Sequence, residues 1–347
     1  MVDKSKKILV TGGSGFVGSY VIRLLLHYGY DNICTITRNK NNIPLIADLS
    51  NKVEIQECDI LDLFTLDEIT SKCDYIIHTA ALVSFKPRDK KQMMKINVDG
   101  TSNIVNLAME HKIKKLIHIS SIASLGRNGQ SDYYDENSKW EETKYNSDYS
   151  TSKYYAEMEV WRGIAEGLNA AILNPSMILG AGIWKNGTSE FFTRVDRGLK
   201  YYPVGSNGFV DVRDVAAMSI QLLESDISGE RFICNSENIS LKSLFSQIAN
   251  DLNLKAPSIK INPGLIKIVS HLLDLYNTII GGNTNLSSQS LKNASIDSKY
   301  NNSKSLDKLN YKYIPVYSTI EETAKCYLES KESGTQFGLL QIKKERS

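Results

Sequence analysis

The chain has 347 residues, of which 41% are hydrophobic and 23% charged, and its formal net charge is +2. These values are typical of a soluble globular protein with one large or two smaller domains, and the small net charge argues against a nucleic-acid partner. The five cysteines are scattered and form no C-x-x-C pair, which argues against a disulfide framework or a zinc site and favours a reducing, cytoplasmic compartment.

The first half of the chain alternates strand-like and helix-like segments. Short apolar or β-branched runs predict strands at Ile8–Val10, Ile33–Thr37, Val53–Gln56, Tyr75–His78, Leu116–Ser120 and Ala170–Leu173. Amphipathic periods predict helices at Phe16–His27, Gln92–Glu110 and Thr151–Glu166. This alternation predicts an α/β fold, a doubly wound parallel sheet with right-handed crossovers.

The pattern becomes irregular after Pro175 and predicts a smaller, mixed α/β lobe. Further strands are expected at Phe209–Val212 and Arg231–Asn235, and further helices near 240–252, 264–280 and 318–331. The most apolar stretch, 265–280, contains Lys267, His271 and Asp274 and is too short to span a bilayer. Its helical stripe favours a core or homodimer contact. The N-terminus has no apolar signal region, so no membrane span is expected.

The segment KILVTGGSGFVGSYVIRLL, residues 7–25, places a glycine-rich turn between the first strand and the first helix. Gly13, Gly15 and Gly18 spell G-x-G-x-x-G, whereas Gly12, Gly15 and Gly18 spell G-x-x-G-x-x-G. In either parsing, glycines allow a tight turn and a close approach of pyrophosphate to the helix N-terminus. This context predicts a dinucleotide site in a Rossmann domain.

The end of the second strand indicates which dinucleotide is preferred. An acidic residue there favours NAD(H), because it can bind the ribose hydroxyls, whereas an arginine favours the 2′-phosphate of NADP(H). Here the strand ends in Thr37 and Arg38, with Lys40 nearby and no acid. NADP(H) is therefore favoured over NAD(H); the alternative is a solvated basic loop.

Thr11-Gly12-Gly13-Ser14-Gly15-Phe16-Val17-Gly18 resembles the T-G-x-x-G-x-x-G opening of the extended short-chain dehydrogenase/reductases, or NAD-dependent epimerase/dehydratases. The resemblance implies that Gly12, Gly15 and Gly18 are the glycines that hold the cofactor, together with Phe16 and Val17. Further matches extend over nearly the whole chain: Cys58-Asp59-Ile60, His78 to Ala81, Asn97 to Thr101, Ser120-Ser121, Tyr149 to Lys153, Asn174-Pro175, Phe209 to Val215, and Ser303-Lys304 with Leu309-Asn310-Tyr311.

The same resemblance implies the remaining cofactor contacts. Asp59, with Ile60 beside it, would contact the adenine, Ala80 and Ala81 would line the cofactor site after the fourth strand, and Asn174-Pro175 would lie against the nicotinamide. The pattern of strands and helices along the chain predicts a Rossmann domain of residues 1–175 and 208–236, a substrate-binding lobe of residues 176–207 and 237–335, and a charged tail of residues 336–347.

The catalytic pair has to be chosen among three Y-x-x-x-K matches, namely Tyr149/Lys153, Tyr300/Lys304 and Tyr327/Lys331. Only Tyr149 follows a strand that ends in serines and opens a predicted helix, so position favours the first pair. Residues four apart on a helix share one face.

Hydride transfer to a carbonyl needs a proton donor, and a nearby lysine cation is expected to lower the pKa of a tyrosine towards neutrality while binding the nicotinamide ribose. Ser121 would hold the substrate oxygen. By resemblance, Asn97 would anchor a proton-relay water. His78 is expected to be a packing residue, and no metal site is expected, because the other histidines lack acidic or cysteine partners at ligand spacing.

Three functions remain open from the sequence. The first is reduction or oxidation of a small-molecule carbonyl or alcohol, as in relatives that resemble dihydroflavonol reductases and 3β-hydroxysteroid dehydrogenases. The second is epimerisation or dehydration of a nucleotide sugar, and the third is a non-catalytic dinucleotide sensor. Ser124-Leu125-Gly126 stands where sugar-nucleotide members carry V-Y-G, and Ala81 to Phe85 is closer to the carbonyl reductases. The reductase is therefore favoured, and the intact Tyr149/Lys153 pair argues against the sensor.

Overall fold

The computed structural model describes residues 3–126, 133–143, 145–261 and 295–342. The strands are β1 Ile8–Thr11, β2 Ile33–Thr37, β3 Glu54–Glu57, β4 Tyr75–His78, β5 Lys115–Ile119, β6 Tyr133–Tyr134, β7 Ala170–Pro175, β8 Met177–Leu179, β9 Tyr201–Tyr202, β10 Ser206–Asp211, β11 Glu230–Cys234, β12 Glu237–Ser240, β13 Ile259–Lys260 and β14 Lys299–Tyr300.

The α-helices are α1 Phe16–His27, α2 Leu63–Thr70, α3 Lys90–Met94, α4 Gly100–Glu110, α5 Asp148–Ala165, α6 Glu190–Asp196, α7 Val212–Glu224, α8 Leu241–Asp251, α9 Ser303–Leu309 and α10 Val316–Ser333. A π-helical turn, Lys95–Asp99, joins α3 to α4, and a 3₁₀ turn, Ile122–Leu125, follows β5.

The central sheet has seven parallel strands in the order β11-β7-β5-β4-β1-β2-β3. Strands β1, β2 and β5 are buried along their whole length, which suits their largely apolar and β-branched residues, although β5 also buries Lys115 and His118. From β1 the chain builds the sheet first towards β3 and then, from β4 onwards, in the opposite direction. The carboxyl ends of β1 and β4 therefore flank a crevice of the kind in which such sheets bind ligands.

Helices cover both faces of this sheet. On one face α1 and α7 bury residues such as Leu24 and Val215 in a core that continues into the C-terminal region. On the other face α2, α4 and α5 contribute residues such as Leu66, Ile104 and Val160 to a second core. The predicted doubly wound α/β fold is confirmed, and none of the described helices is long and apolar enough to cross a bilayer.

Smaller sheets follow β7. Strand β10 pairs in parallel with β8 and antiparallel with β12, while β9 pairs with β13 and β6 with β14. The strand predicted at Phe209–Val212 thus belongs to a three-stranded sheet, whereas the strand predicted at Arg231–Asn235 is the edge strand β11 of the central sheet.

The structure differs from the predicted elements in several places. Helices α2 and α7 were not predicted, and Val212 begins α7 instead of ending a strand. The helix predicted over Gln92–Glu110 is interrupted by the π turn. The predicted helix at 264–280, with its proposed homodimer contact, lies outside the described residues.

The start predicted for the charged tail, residue 336, is too early. Leu340 is buried, its backbone N–H donates to the hydroxyl of Tyr20 (2.7 Å), and the N–H of Gly338 donates to the carbonyl of Gly182 (3.0 Å). Residues 336–342 therefore pack onto α1 and the segment after β8.

Candidate active site

The turn between β1 and α1 requires glycine at three positions because the chain approaches itself closely. Gly12 has φ +70°, and a Cβ there would lie 2.8 Å from the backbone of Ala80. A Cβ on Gly18 would lie 2.3 Å from the carbonyl oxygen of Gly12, and one on Gly13 would lie 2.3 Å from the hydroxyl of Thr35. Gly13 belongs only to the G-x-G-x-x-G parsing and was not among the predicted cofactor glycines. The turn nevertheless requires glycine at this position as well.

Gly15 differs from these glycines because a Cβ there would meet only the carbonyl oxygen of Gly12, at 3.1 Å. It is the exposed N-cap of α1, in extended conformation, and it offers no side chain to the first turn of the helix. That turn carries no acidic residue. The bare, positive end of α1 therefore fits the pyrophosphate of a dinucleotide.

Phe16 and Val17, the first residues of α1, are half-buried. The ring of Phe16 packs against Gly180 and Gly182, since a Cβ on Gly182 would come within 2.9 Å of it. The segment after β8 thus closes over the start of α1.

Arg38 lies exposed just after β2, and Thr37 accepts a long hydrogen bond from Ser14 (3.5 Å). At the end of β3 the carboxylate of Asp59 accepts from the N–H of Leu61 (2.9 Å) and so shapes the turn. Ile60 is buried against Gly100. These predicted cofactor residues lie at the carboxyl ends of neighbouring strands.

The end of β4 leads into Ala80, which is half-buried against the glycine turn, and into Ala81, which is exposed. His78 is fully buried at the end of this strand. Its ring nitrogens lie 2.7 Å from the Thr11 hydroxyl and 3.0 Å from the Thr101 hydroxyl. It is a packing residue, as predicted.

Helix α5 begins at Asp148, three residues before the predicted start at Thr151, because the hydroxyl of Ser147 accepts a hydrogen bond from the N–H of Ser150 (3.0 Å) and caps the helix. Tyr149 is half-buried in its first turn, with Ser121 close enough to affect the pKa of its hydroxyl. Burial raises the pKa of Tyr149, and Ser121 partly offsets that rise. The expected lowering of this pKa by Lys153 is not seen.

Lys153 follows one turn later and is almost fully buried, with its ammonium donating to the carbonyl of Ile119 (2.9 Å). Burial lowers the pKa of Lys153 to about 8, against an opposing contribution from the carboxylate of Glu157. The lysine thus reaches the same strand end from which Ser121 projects.

Asn97 lies buried in the π turn before α4. Its amide accepts from the N–H of Leu82 (2.7 Å) and donates to the carbonyl of Leu82 (3.0 Å) and the hydroxyl of Ser152 (2.9 Å). These bonds use both of its N–H donors. They join the segment after β4 to α5, so the geometry assigns Asn97 a positioning contact, and its role with a relay water stays a prediction.

Asn174 and Pro175 end β7 beside this group, and both are buried. The Asn174 amide donates to the Ser121 carbonyl (3.1 Å), to the Ser124 hydroxyl (2.9 Å) and to the carboxylate of Glu157 (2.7 Å). Its Oδ1 is buried with no hydrogen-bond partner among the described residues. A buried acceptor at this position fits a ligand that brings a donor, such as the amide of a nicotinamide.

The expectation that the histidines lack acidic partners is wrong for His111. Its Nε2 lies 2.7 Å from the carboxylate of Asp67, and Glu110 lies close enough to form an acidic group with them. The two acids are exposed.

The tyrosines of the other two Y-x-x-x-K matches, Tyr300 and Tyr327, have different partners. Tyr300 lies in β14 and stacks on Tyr134, while Tyr327 donates to the carboxylate of Asp196 (3.0 Å), which Lys331 also binds. Of the three Y-x-x-x-K matches, therefore, only Tyr149/Lys153 lies beside Ser121.

Known proteins resemble this chain in both sequence and fold. The model of the NAD dependent epimerase/dehydratase family matches residues 8–234. A Synechocystis sp. protein provisionally named dihydroflavonol 4-reductase is 30% identical over 262 residues, which cover 72% of this chain and 73% of that protein. Anthocyanidin reductase of Arabidopsis thaliana is 30% identical over 268 residues, with 69% and 78% covered. The crystal structure of gox2253 superposes with a TM-score of 0.80 and 27% identity over 95% of this chain and 99% of that one.

Proposed function

This chain belongs to the NAD-dependent epimerase/dehydratase family, and we propose that within it the protein is a reductase that adds a hydride from NADPH to the carbonyl carbon of a small molecule. As in its reductase relatives, the enzyme type is that of the NAD(P)-dependent extended short-chain dehydrogenase/reductases.

The observation that carries the proposal is that Tyr149, in the first turn of α5, and Lys153, one turn further along, both lie at the end of β5 beside Ser121. Hydroxyls of Tyr149 and Ser121 that face the same space can both donate to a single substrate oxygen. The raised pKa keeps Tyr149 protonated, as a general acid for reduction must be.

The reduction of a carbonyl needs one hydride and one proton, and each has a source in the proposed site. The nicotinamide, when bound, supplies the hydride for the carbonyl carbon. As the carbon–oxygen π bond breaks, Tyr149 gives its phenolic proton to the oxygen, which completes the alcohol. Solvent then returns a proton to the phenolate, and the ammonium of Lys153 would bind the nicotinamide ribose when the dinucleotide is present.

The surroundings of Tyr149 support a carbonyl compound with an apolar body over a nucleotide sugar. Phe85 is 41% exposed, and its ring centroid lies 5.8 Å from that of Tyr149, edge to face. Val83 is 60% exposed on the same segment. An apolar wall beside the proton donor suits an apolar substrate.

The test is to offer the purified enzyme a panel of apolar aldehydes and ketones with NADPH and, separately, a panel of nucleotide sugars. We expect stoichiometric loss of the NADPH absorbance with at least one carbonyl compound. Conversion of a nucleotide sugar without net change in nicotinamide absorbance would contradict the reductase and favour the epimerase. Failure of both panels on folded, cofactor-loaded protein would favour the sensor.

A further inference from the structure

Glu157 is a buried carboxylate on α5, one turn beyond Lys153, with 2% of its surface exposed. Its Oε2 accepts three hydrogen bonds, from the hydroxyls of Ser120 (2.6 Å) and Ser124 (2.6 Å) and from the amide of Asn174 (2.7 Å). Ser120 and Ser124 lie on either side of Ser121 in the chain. Through these hydrogen bonds the carboxylate connects the end of β5 to the 3₁₀ turn that follows it.

The second oxygen of Glu157 reaches the edge of the sheet. Oε1 accepts from the guanidinium of Arg231 on β11 (3.1 Å) and from the indole of Trp161 (3.2 Å). The same guanidinium donates to the carbonyls of Glu136 (2.8 Å) and Ser138 (3.0 Å). Through Arg231, Glu157 is thus connected to the segment that precedes α5.

We propose that Glu157 is a positioning residue for the reaction: it holds the turn that carries Ser121, and the segment 133–143, in register with Tyr149 and Lys153. The inference rests on the proposed function, because that function gives Tyr149 and Ser121 their roles. Five donors on one carboxylate offset its desolvation, and removal of the charge would leave buried donors without an acceptor.

The carboxylate also faces the lysine. The charged and titratable groups around Lys153 are Tyr149 and Glu157 on its own helix and the buried, neutral His78 and His118 on β4 and β5. Of these, Glu157 acts to raise the pKa of Lys153. A structural salt bridge alone would affect stability, whereas a positioning residue also affects turnover and its pH profile.

The test uses Glu157→Gln, which keeps the size of the side chain, with Glu159→Gln as the matched control. Glu159 lies on the same helix but pairs with Arg162 (3.1 Å) and accepts from Ser102 (2.9 Å) on α4. In Glu157→Gln we expect faster hydrogen–deuterium exchange in residues 116–126 and 133–143. We also expect kcat lower by about 10- to 100-fold with little change in KM for NADPH, because small displacements of catalytic groups cost this much.

The pH profile gives a further readout. Without the charge of Glu157 the pKa of Lys153 falls, so the alkaline limb of kcat for reduction should move to lower pH. Glu159→Gln should leave exchange, kcat and this limb unchanged.

Exchange like that of the wild type in both segments, or a kcat within about twofold of wild type, would overturn the proposal. If Glu157→Gln does not fold, Ser120→Ala, which removes a single donor, should show the same pattern with smaller amplitude. If the wild type reduces no carbonyl compound, the proposed function fails, but the exchange data still decide whether Glu157 holds the two segments.

Discussion

Gly15 is the residue of the β1–α1 turn whose missing side chain leaves space for a ligand. Its backbone is extended, and a Cβ would meet only one carbonyl oxygen. Gly15→Val should therefore fold but lose affinity for NADPH by at least ~100-fold, because the side chain occupies the anion site at the helix N-terminus. Fluorescence titration measures the affinity, and thermal unfolding checks the fold.

Gly18 supplies the control for this prediction. A Cβ there would lie 2.3 Å from the carbonyl oxygen of Gly12, so Gly18→Val should lower Tm strongly instead of affecting binding alone. Normal dinucleotide binding by Gly15→Val would show that the phosphates lie elsewhere.

Arg38 is exposed just after β2, and the proposed preference for NADP(H) assigns it to the 2′-phosphate. A charge-assisted contact contributes about 1.5–3 kcal/mol, so Arg38→Ala should weaken NADP(H) binding by roughly 10- to 150-fold and leave NAD(H) binding unchanged. Calorimetric titration of wild type and variant with both cofactors measures the difference. Equal affinity of the wild type for the two cofactors would refute the NADP(H) preference.

Tyr20 connects three parts of the chain: helix α1, the segment after β8 and the C-terminal residues 336–342. It is fully buried on α1, its hydroxyl donates to the carbonyl of Ala181 (2.8 Å), and it accepts from the N–H of Leu340 (2.7 Å). Tyr20→Phe leaves both backbone groups without this partner, which should lower the free energy of unfolding by about 1–3 kcal/mol.

Urea unfolding of Tyr20→Phe measures this loss, with the 42% exposed Tyr317 on α10 as the control. Tyr317→Phe should change the free energy of unfolding by less than about 0.5 kcal/mol. A Tyr20→Phe variant as stable as wild type would mean that residues 336–342 do not depend on this hydroxyl.

Two buried histidines in the central sheet are expected to make the stability of the protein depend on pH. His78 on β4 and His118 on β5 are buried, with ring centroids 5.1 Å apart. Burial lowers the pKa of His78 from 6.5 to about 3 and lowers that of His118 well below its ordinary value, with the charge of Lys153 adding to both effects. In the folded protein both imidazoles are therefore neutral near neutral pH.

The sign of the effect follows from proton uptake. Below pH 6.5 the unfolded chain protonates both histidines, whereas the folded protein protonates His78 only near pH 3. The free energy of unfolding should therefore fall as the pH drops below 6.5, by up to about 1.4 kcal/mol per pH unit for each histidine. Both nitrogens of His118 lack partners among the described residues, so His118→Phe should reduce the slope without loss of a hydrogen bond. An unchanged slope would contradict this assignment.

The sequence alone predicts the central sheet of the molecule, but it does not predict every helix. The apolar runs of the central strands predict a parallel sheet because both faces are covered. Helix α2 is short and starts from the cap Asp62, and α7 follows β10 without an intervening loop, so neither stands out as a separate amphipathic period.

In the candidate site, too, contacts between neighbours in the chain can be predicted, whereas contacts between distant segments cannot. Tyr149 and Lys153 are four residues apart, so one helix brings them together and the sequence can predict it. Gly13 was set aside in favour of Gly12, and Glu157 was not singled out, because their contacts come from Thr35 and from Arg231, which only the folded chain places beside them.

The most direct test of the account is the turnover of Tyr149→Phe with NADPH and a carbonyl substrate identified in the panel, measured beside Tyr327→Phe. The first variant keeps the ring but lacks the proton donor, so kcat should fall by roughly 10²- to 10⁴-fold while NADPH affinity stays near that of wild type. Tyr327 donates to Asp196 away from Ser121, so Tyr327→Phe should retain wild-type turnover. Full activity of Tyr149→Phe would contradict the assignment of the proton donor and with it the proposed mechanism.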